Sequence, residues 1–375
     1  MIAAKMLRPD ILDMEPYLPI VPFEVLSARL NRDPADIVKL DANENPYGPS
    51  PLALEALGAG RYYHIYPDPE ATALREAISR YTGVPEEYLL AGMGADELID
   101  LVLRVVLSPG DVVIDCPPSF GMYPFSTAVN AGRYVPVPRG VNFALDIDGI
   151  IATIEMNPKA KVLFICSPNN PDGSLVDDEA LRRLLALPVL VVLDEAYIDF
   201  AEAEGFSSRI AWVKQNDNLV VLRTFSKLAG LAGLRVGYGA FPAWLLPHLW
   251  KIKQPYNVNV AASLAAIASL GDAERLHDNV RLIVAERRRL VETLSTFSFL
   301  TPYPSRSNFV LFQVDDGYSA AALKQGLQAE GVLVRYFQKP GLENCIRISV
   351  GRPADTDRLV AALRSVVDKL EAEYE

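Results

Sequence analysis

The sequence predicts an α/β protein: a mostly parallel sheet with helices on both faces, joined to a smaller α+β domain. Three observations carry this. Short apolar runs at Val112 to Asp115, Lys161 to Cys166, Val189 to Leu193 and Leu219 to Leu222 alternate with helical segments, as in a sheet covered on both faces. Polar turns follow several of these runs: Pro117 to Gly121, Ser167 to Gly173, Asp194 to Tyr197 and Arg223 to Lys227. Such sheets bind ligands beyond the carboxyl ends of their strands, so these turns fall at one functional edge. Beyond residue 300 the pattern changes to strands at Phe309 to Val314, Val332 to Arg335 and Cys345 to Val350, with helices at Ala320 to Glu330 and Asp355 to Glu371.

The chain has 375 residues, half of them apolar, which suits two domains with a core each. The expected division is an N-terminal arm with part of the small domain over 1–45, a large ligand-binding domain over 46–260 and a small domain over 261–375. A net charge of −11 argues against nucleic-acid binding. No apolar run reaches membrane-spanning length and the first residues lack an apolar signal segment, so a cytoplasmic protein is expected. Cys116, Cys166 and Cys345 lack metal-ligand spacing and read as buried thiols. His64, His248 and His277 stand too far apart in sequence to suggest a metal site.

In chain order, the chain is expected to be irregular up to Phe23, since no helix can cross Pro16, Pro19 and Pro22, and Phe23 to Leu30 reads as one short helix. Lys39 to Pro51 is dense in turn formers and amides; by itself it reads as a surface loop. Helices are expected at 52–58 and at Thr72 to Tyr81, where Leu74, Ala77, Ile78 and Tyr81 share a face. Gly92 and Gly94 precede another helix, whose free amides and dipole suit a single phosphate. Val258 to Leu294 is one long helix or a broken pair. In the strand at Cys345 to Val350, Arg347 and Ser349 share one face and Ile346 and Ile348 the other.

Lys227 follows an apolar run at a strand end. A lysine there can form a Schiff base if burial lowers its pKa. Thr224, Ser226 and Arg235 supply two hydroxyls and a guanidinium, a set that matches a phosphate. Asp194 ends another strand, where a carboxylate can keep a pyridine nitrogen protonated.

With these pieces in order, the chain resembles the fold-type I pyridoxal-phosphate aminotransferases, and within them the histidinol-phosphate aminotransferase family. The resemblance spans nearly the whole chain. It is carried by Pro16-Tyr17, Asp41 to Pro49, Tyr66 to Pro69, Gly94 to Leu98, Cys166 to Pro171, Asp194 to Tyr197, Thr224 to Lys227, Leu231 to Arg235, Val334-Arg335 and Ile346 to Gly351. It implies a pyridoxal 5'-phosphate enzyme that exchanges an amino group between histidinol phosphate and 2-oxoglutarate, with Lys227 as Schiff-base lysine and proton shuttle. Asp194 would pair with the ring nitrogen, and Asn170 and Tyr197 with the ring hydroxyl, while Phe120 stacks on the ring. Gly94, Ala95 and Asp96 would hold the phosphate together with Thr224, Ser226 and Arg235. Tyr66 would reach that phosphate from the partner subunit of a homodimer. Tyr17, Asn43, Asn170, Arg335 and Arg347 would line the substrate side, Arg347 on an α-carboxylate and Arg335 on a phosphate. The implied partners are thus a small-molecule amino donor and a 2-oxo acid, with no nucleic acid and no membrane. An aromatic amino-acid aminotransferase and a threonine-phosphate decarboxylase on the same scaffold are the alternatives. The chain departs from the family pattern at Ile20, Phe120, Asp172 and Arg352.

Overall fold

The computed structural model describes residues 6–12, 14, 16, 23–315 and 317–372. Among them, twelve strands form two sheets. The strands are β1 (Val38–Leu40), β2 (Leu89–Gly92), β3 (Val112–Asp115), β4 (Arg133–Pro136), β5 (Ala160–Cys166), β6 (Leu190–Asp194), β7 (Leu219–Thr224), β8 (Gly237–Ala240), β9 (Leu300–Pro302), β10 (Phe309–Val314), β11 (Val332–Tyr336) and β12 (Cys345–Ser349).

The larger sheet runs β2-β8-β7-β6-β5-β3-β4. Its neighbours from β7 to β4 pair in parallel, and only β8 runs antiparallel, to both β7 and β2. The central strands are apolar throughout because both faces are covered. Phe164, Val192, Val220 and Leu222 pack on one side with the helix Ala95–Val106, while Leu163, Ile165, Val191 and Val221 pack on the other. Register then fixes the functional edge. Cys166 pairs with Asp194 and Asp194 with Leu222, so β5 and β6 end level and β7 runs on past them to Thr224. Residues that follow those ends, Asn170, Tyr197 and Lys227, are brought to one place by strand pairing alone.

The smaller sheet runs β1-β11-β12-β10-β9. β1 lies parallel to β11 at its edge, so the N-terminal part of the chain is stitched into the sheet formed by the C-terminal part. The stretch 258–294 is a broken pair of helices, Val260–Gly271 and Ala273–Leu294, interrupted at Asp272.

Five helices were not evident in the sequence: Pro9–Leu12, Met122–Val129, Ile147–Met156, Ile198–Glu202 and Leu246–Ile252. The short Pro9–Leu12 corrects the expectation of an irregular stretch up to Phe23, and it ends before Pro16. Pro124 and Gly149 lower local propensity in the second and third, while Pro247 lies in the first turn of the last, where proline is tolerated. The surface-loop reading of Lys39 to Pro51 is corrected. Asp41, Asn43 and Asn45 are buried, because the segment leaves β1 and crosses beneath the large sheet's functional edge. Among the described residues no helix is long and apolar enough to cross a membrane, and no group of His, Cys, Asp or Glu is arranged to hold a metal ion. All three cysteines are buried and unbridged.

Candidate active site

Two cavities meet at the carboxyl edge of the large sheet. The inner one, about 140 Å³, is lined by Ala95, Asp96, Asp194, Thr224, Ser226 and Arg235 among others. The outer one, about 1290 Å³, opens between the sheets and includes Asn43, Arg335 and Arg347. Phe120, Asn170, Tyr197 and Lys227 line both, so Lys227 stands at the junction.

Lys227 is held from both sides. Asn45 donates from Nδ2 to the carbonyls of Lys227 and Leu228, at 3.1 and 3.0 Å, and fixes the backbone. The Lys227 Nζ donates to the Ala42 carbonyl at 3.1 Å. A little of its surface shows through the cavities, but protein surrounds it closely enough that burial dominates its ionisation. Burial, followed by the nearby Arg347 guanidinium, pushes the amine down to about 8.

Asp194 also lines the inner cavity and is 3 % exposed. Its Oδ2 accepts from Tyr123 OH at 2.8 Å and its Oδ1 from the Ala196 amide at 3.0 Å. Burial raises the carboxyl to about 6 against the opposing effect of those two donors. A cationic ring nitrogen placed there would restore the charged form.

The remaining walls supply donors. Asn43 Nδ2 donates to Tyr197 OH at 3.1 Å, which leaves the phenol proton to point elsewhere. Arg347 Nη1 donates to Asn170 Oδ1, so the Asn170 amide nitrogen is left as a donor. Gly94, at φ 81, starts the helix Ala95–Val106, and a Cβ on it would come within 2.7 Å of Arg235 Nη2. Arg235 also pairs with Asp96 at 3.1 Å and sits at φ 52. Thr224 Oγ1 accepts from the Ser226 amide at 3.0 Å.

This donor set fits pyridoxal phosphate. One end offers helix amides, two hydroxyls and a guanidinium for a dianion. The other offers a buried carboxylate, and an easily deprotonated amine lies between.

On the substrate side, Arg335 and Arg347 lie directly opposite each other on β11 and β12. Like charges at paired positions destabilise a sheet, and both guanidiniums line the outer cavity. Arg347 is oriented by the Asp41 carbonyl at 2.8 Å and by Asn170. Asn43 lines the outer cavity, yet its amide is engaged by Tyr197 and by Ser349 Oγ at 2.9 Å. Its contribution is to hold Tyr197. Tyr66 lines neither cavity: it is 79 % exposed and stacks on Tyr256 with ring centroids 4.7 Å apart. Tyr17 and Ile20 lie outside the described residues. Phe120 lines both cavities and meets Tyr123 edge-on. Asp172 is buried and closes its own turn, accepting from Asn169 and from the Ser174 amide at 2.9 Å. Arg352 reaches the Pro46 carbonyl at 2.9 Å and so braces the loop that crosses the site.

Tyr123, Asn45, Ser349 and the carbonyls of Asp41 and Ala42 were missed from sequence. Tyr123 stacks on Phe164 at 4.5 Å and looks in sequence like any core aromatic.

Comparison with known proteins agrees with this geometry. The family model for class I and II aminotransferases matches residues 35–363. The chloroplastic histidinol-phosphate aminotransferase of Nicotiana tabacum is 53% identical over 358 residues, covering 96% of this chain and 86% of that protein. The histidinol-phosphate aminotransferase of Roseiflexus castenholzii is 50% identical, covering 96% of this chain and 98% of that protein. The crystal structure of the Sinorhizobium meliloti histidinol-phosphate aminotransferase in complex with pyridoxal-5'-phosphate superposes with a TM-score of 0.86 at 30% identity, covering 97% of this chain and 98% of that one.

The Lys227 environment predicts a pH signature. In cofactor-free protein, amine-directed labelling of Lys227 followed by mass spectrometry should reach half its maximal rate near pH 8, because the amine is charged below its pKa and nucleophilic above it. Arg347→Gln removes a neighbouring cation and should move that midpoint upward. A wild-type midpoint near that of an ordinary lysine, about 10.4, would contradict the burial argument.

Proposed function

We infer the function from one premise: the chain belongs to the histidinol-phosphate aminotransferase family, within the class I and II aminotransferases. It is a pyridoxal-phosphate-dependent aminotransferase that converts histidinol phosphate and 2-oxoglutarate to imidazole-acetol phosphate and L-glutamate, a step of histidine biosynthesis. When bound, the cofactor supplies an aldehyde that condenses with amines and a ring that draws electrons from the substrate's α-carbon.

The chain's own residues do the rest. Asp194 keeps a proton on the ring nitrogen, and Tyr123 keeps Asp194 aimed there. Tyr197 and the Asn170 amide would donate to the ring hydroxyl, and Phe120 would pack on the ring. The Ala95 and Asp96 amides beyond Gly94, with Thr224, Ser226 and Arg235, would bind the phosphate. Lys227 would hold the cofactor's aldehyde carbon, and its amine, when free, would carry the proton taken from the substrate α-carbon. An amine pushed down to about 8 is suited to both halves of that transfer.

The observation that carries the substrate assignment is the directly opposed pair Arg335 and Arg347 in the outer cavity. Histidinol phosphate has a phosphate ester and no carboxylate, whereas 2-oxoglutarate has two carboxylates. One site must therefore take a different anion in each half-reaction, and two adjacent guanidiniums can do so. The α-carboxylate role of Arg347 applies to the glutamate half alone. A free aromatic amino acid would engage Arg347 and leave Arg335 without an anion.

The active unit is proposed to be a homodimer with Tyr66 donating to the partner's cofactor phosphate. The exposure of Tyr62, Tyr63, Ile65 and Tyr66 together, far from this chain's own inner cavity, supports it. A cytoplasmic location is proposed from the three buried, unbridged cysteines, which suit a reducing compartment; fractionation of cells producing the protein tests it.

Two experiments check these readings. The ratio kcat/KM for histidinol phosphate should exceed that for phenylalanine by about 100-fold or more, as expected when a site built for a charged group meets a substrate without one; equal values would make the enzyme a broad aromatic aminotransferase. Hybrids formed from Lys227→Ala and Tyr66→Ala subunits should recover one intact site per dimer, with wild-type cofactor affinity at half the sites. Hybrids no better than the Tyr66→Ala parent would show that Tyr66 does not act across the interface.

A further inference from the structure

The outer cavity is charged beyond what the reacting atoms need. Lys227, Lys324, Arg335, Lys339 and Arg347 line it, and among the described residues no Asp or Glu does. The whole chain carries −11. Elsewhere its cations are commonly matched, as in the buried pairs Arg223 with Asp199 and Arg287 with Glu204. A cavity lined by charges of one sign focuses field even in an acidic protein.

Two members of the cluster have no role in the reaction described above. Lys324 is on the helix Ala320–Ala329, which packs on β11, and Lys339 is on the loop that follows β11. They therefore flank Arg335 from a helix and from a loop, and neither lines the inner cavity. The Lys324 ammonium donates to the neutral Gln328 Oε1 at 2.7 Å and retains two further N–H donors. The Lys339 side chain is exposed and, among the described residues, has no ion pair or hydrogen bond. Arg335 likewise has none and rests over the Phe337 ring at 5.5 Å. Three cations are thus held at the cavity wall without a direct ion pair among the described residues, the Asp115 carboxyl acting on Lys339 only from a distance. A phosphate monoester is close to a dianion at neutral pH, and it gains more from several convergent cations than a carboxylate or a phenyl ring does.

We propose that Lys324 and Lys339 form, with Arg335, a capture rim for the phosphate dianion of the amino donor, and that this rim sets the preference for a phosphorylated donor. The inference rests on the histidinol-phosphate reading and adds two specificity-determining residues to it. Both lysines act on capture and affinity rather than at the reacting carbon.

The test uses holoenzyme with paired donors, histidinol phosphate and histidinol, and with inorganic phosphate as competitor. In Lys324→Gln/Lys339→Gln, KM for histidinol phosphate should rise by about 10-fold at low salt, with kcat within about twofold of wild type. KM for histidinol should not move, and Ki for inorganic phosphate should rise in step with KM for the phosphorylated donor. At about 0.5 M salt the gap between variant and wild type should shrink to less than about threefold, since screening removes the rim's reach. The single variant Lys339→Gln, on an exposed loop, should show part of the effect and guards against misfolding. An unchanged KM and Ki, or an equal rise for histidinol, would overturn the rim. Failure of the wild-type enzyme to use histidinol phosphate would instead sink the substrate assignment, and the phosphate Ki would still report whether the lysines bind that anion.

Discussion

The structure depends on one constraint: a lysine amine must sit inside the protein, poised to lose its proton, beside a place where a dianion binds. Burial alone would lower the Lys227 pKa, but a lysine buried without direction is only a cost to stability. Here the amine is directed. Asn45 clamps the backbone at Lys227 and Leu228, the Ala42 carbonyl receives the ammonium, and Arg347 adds a repelling charge. All of these come from segments distant in sequence. They meet because the parallel β5, β6 and β7 bring their carboxyl ends to one edge and because the loop 41–45 that follows β1 reaches Lys227 there.

Charge is sorted along the site accordingly. A helix start, two hydroxyls and Arg235 form one pole, and the buried Asp194 carboxylate forms the other. Outside them lies a third region lined by Arg335, Arg347 and the two lysines. Neutral polar groups are arranged so that each leaves its donor toward the cavity. Tyr197 accepts from Asn43, and Asn170 accepts from Arg347. The cavity therefore presents donors where a cofactor oxygen would be and a carboxylate where its nitrogen would be.

Much of this was legible in the residues. The apolar runs located the central strands of the large sheet to within a residue or two, because strands buried on both faces cannot carry polar side chains. The polar turns after them marked the functional edge, and the order of short motifs identified the family. Other features depended on tertiary context. The helix Met122–Val129 contains a proline, and its Tyr123 reads as core until Asp194 is seen above it. The segment 41–45 looks like a surface loop because its amides are satisfied by groups hundreds of residues away, such as Ser349 and Asn308. The antiparallel β8 has no sequence mark that separates it from its parallel neighbours. Tyr66 shows the limit of a single chain: exposed and stacked on Tyr256, its place in a site depends on a second subunit.

The central claim is that Lys227, and no other amine, holds the cofactor. Reduction of the cofactor-loaded protein with borohydride, then proteolysis and mass mapping, tests it most directly. The account predicts one adduct per chain, on the peptide that contains Lys227, and none on Lys324, Lys339 or the partly buried Lys253. An adduct on any other lysine, or full labelling of a Lys227→Arg variant, would contradict it.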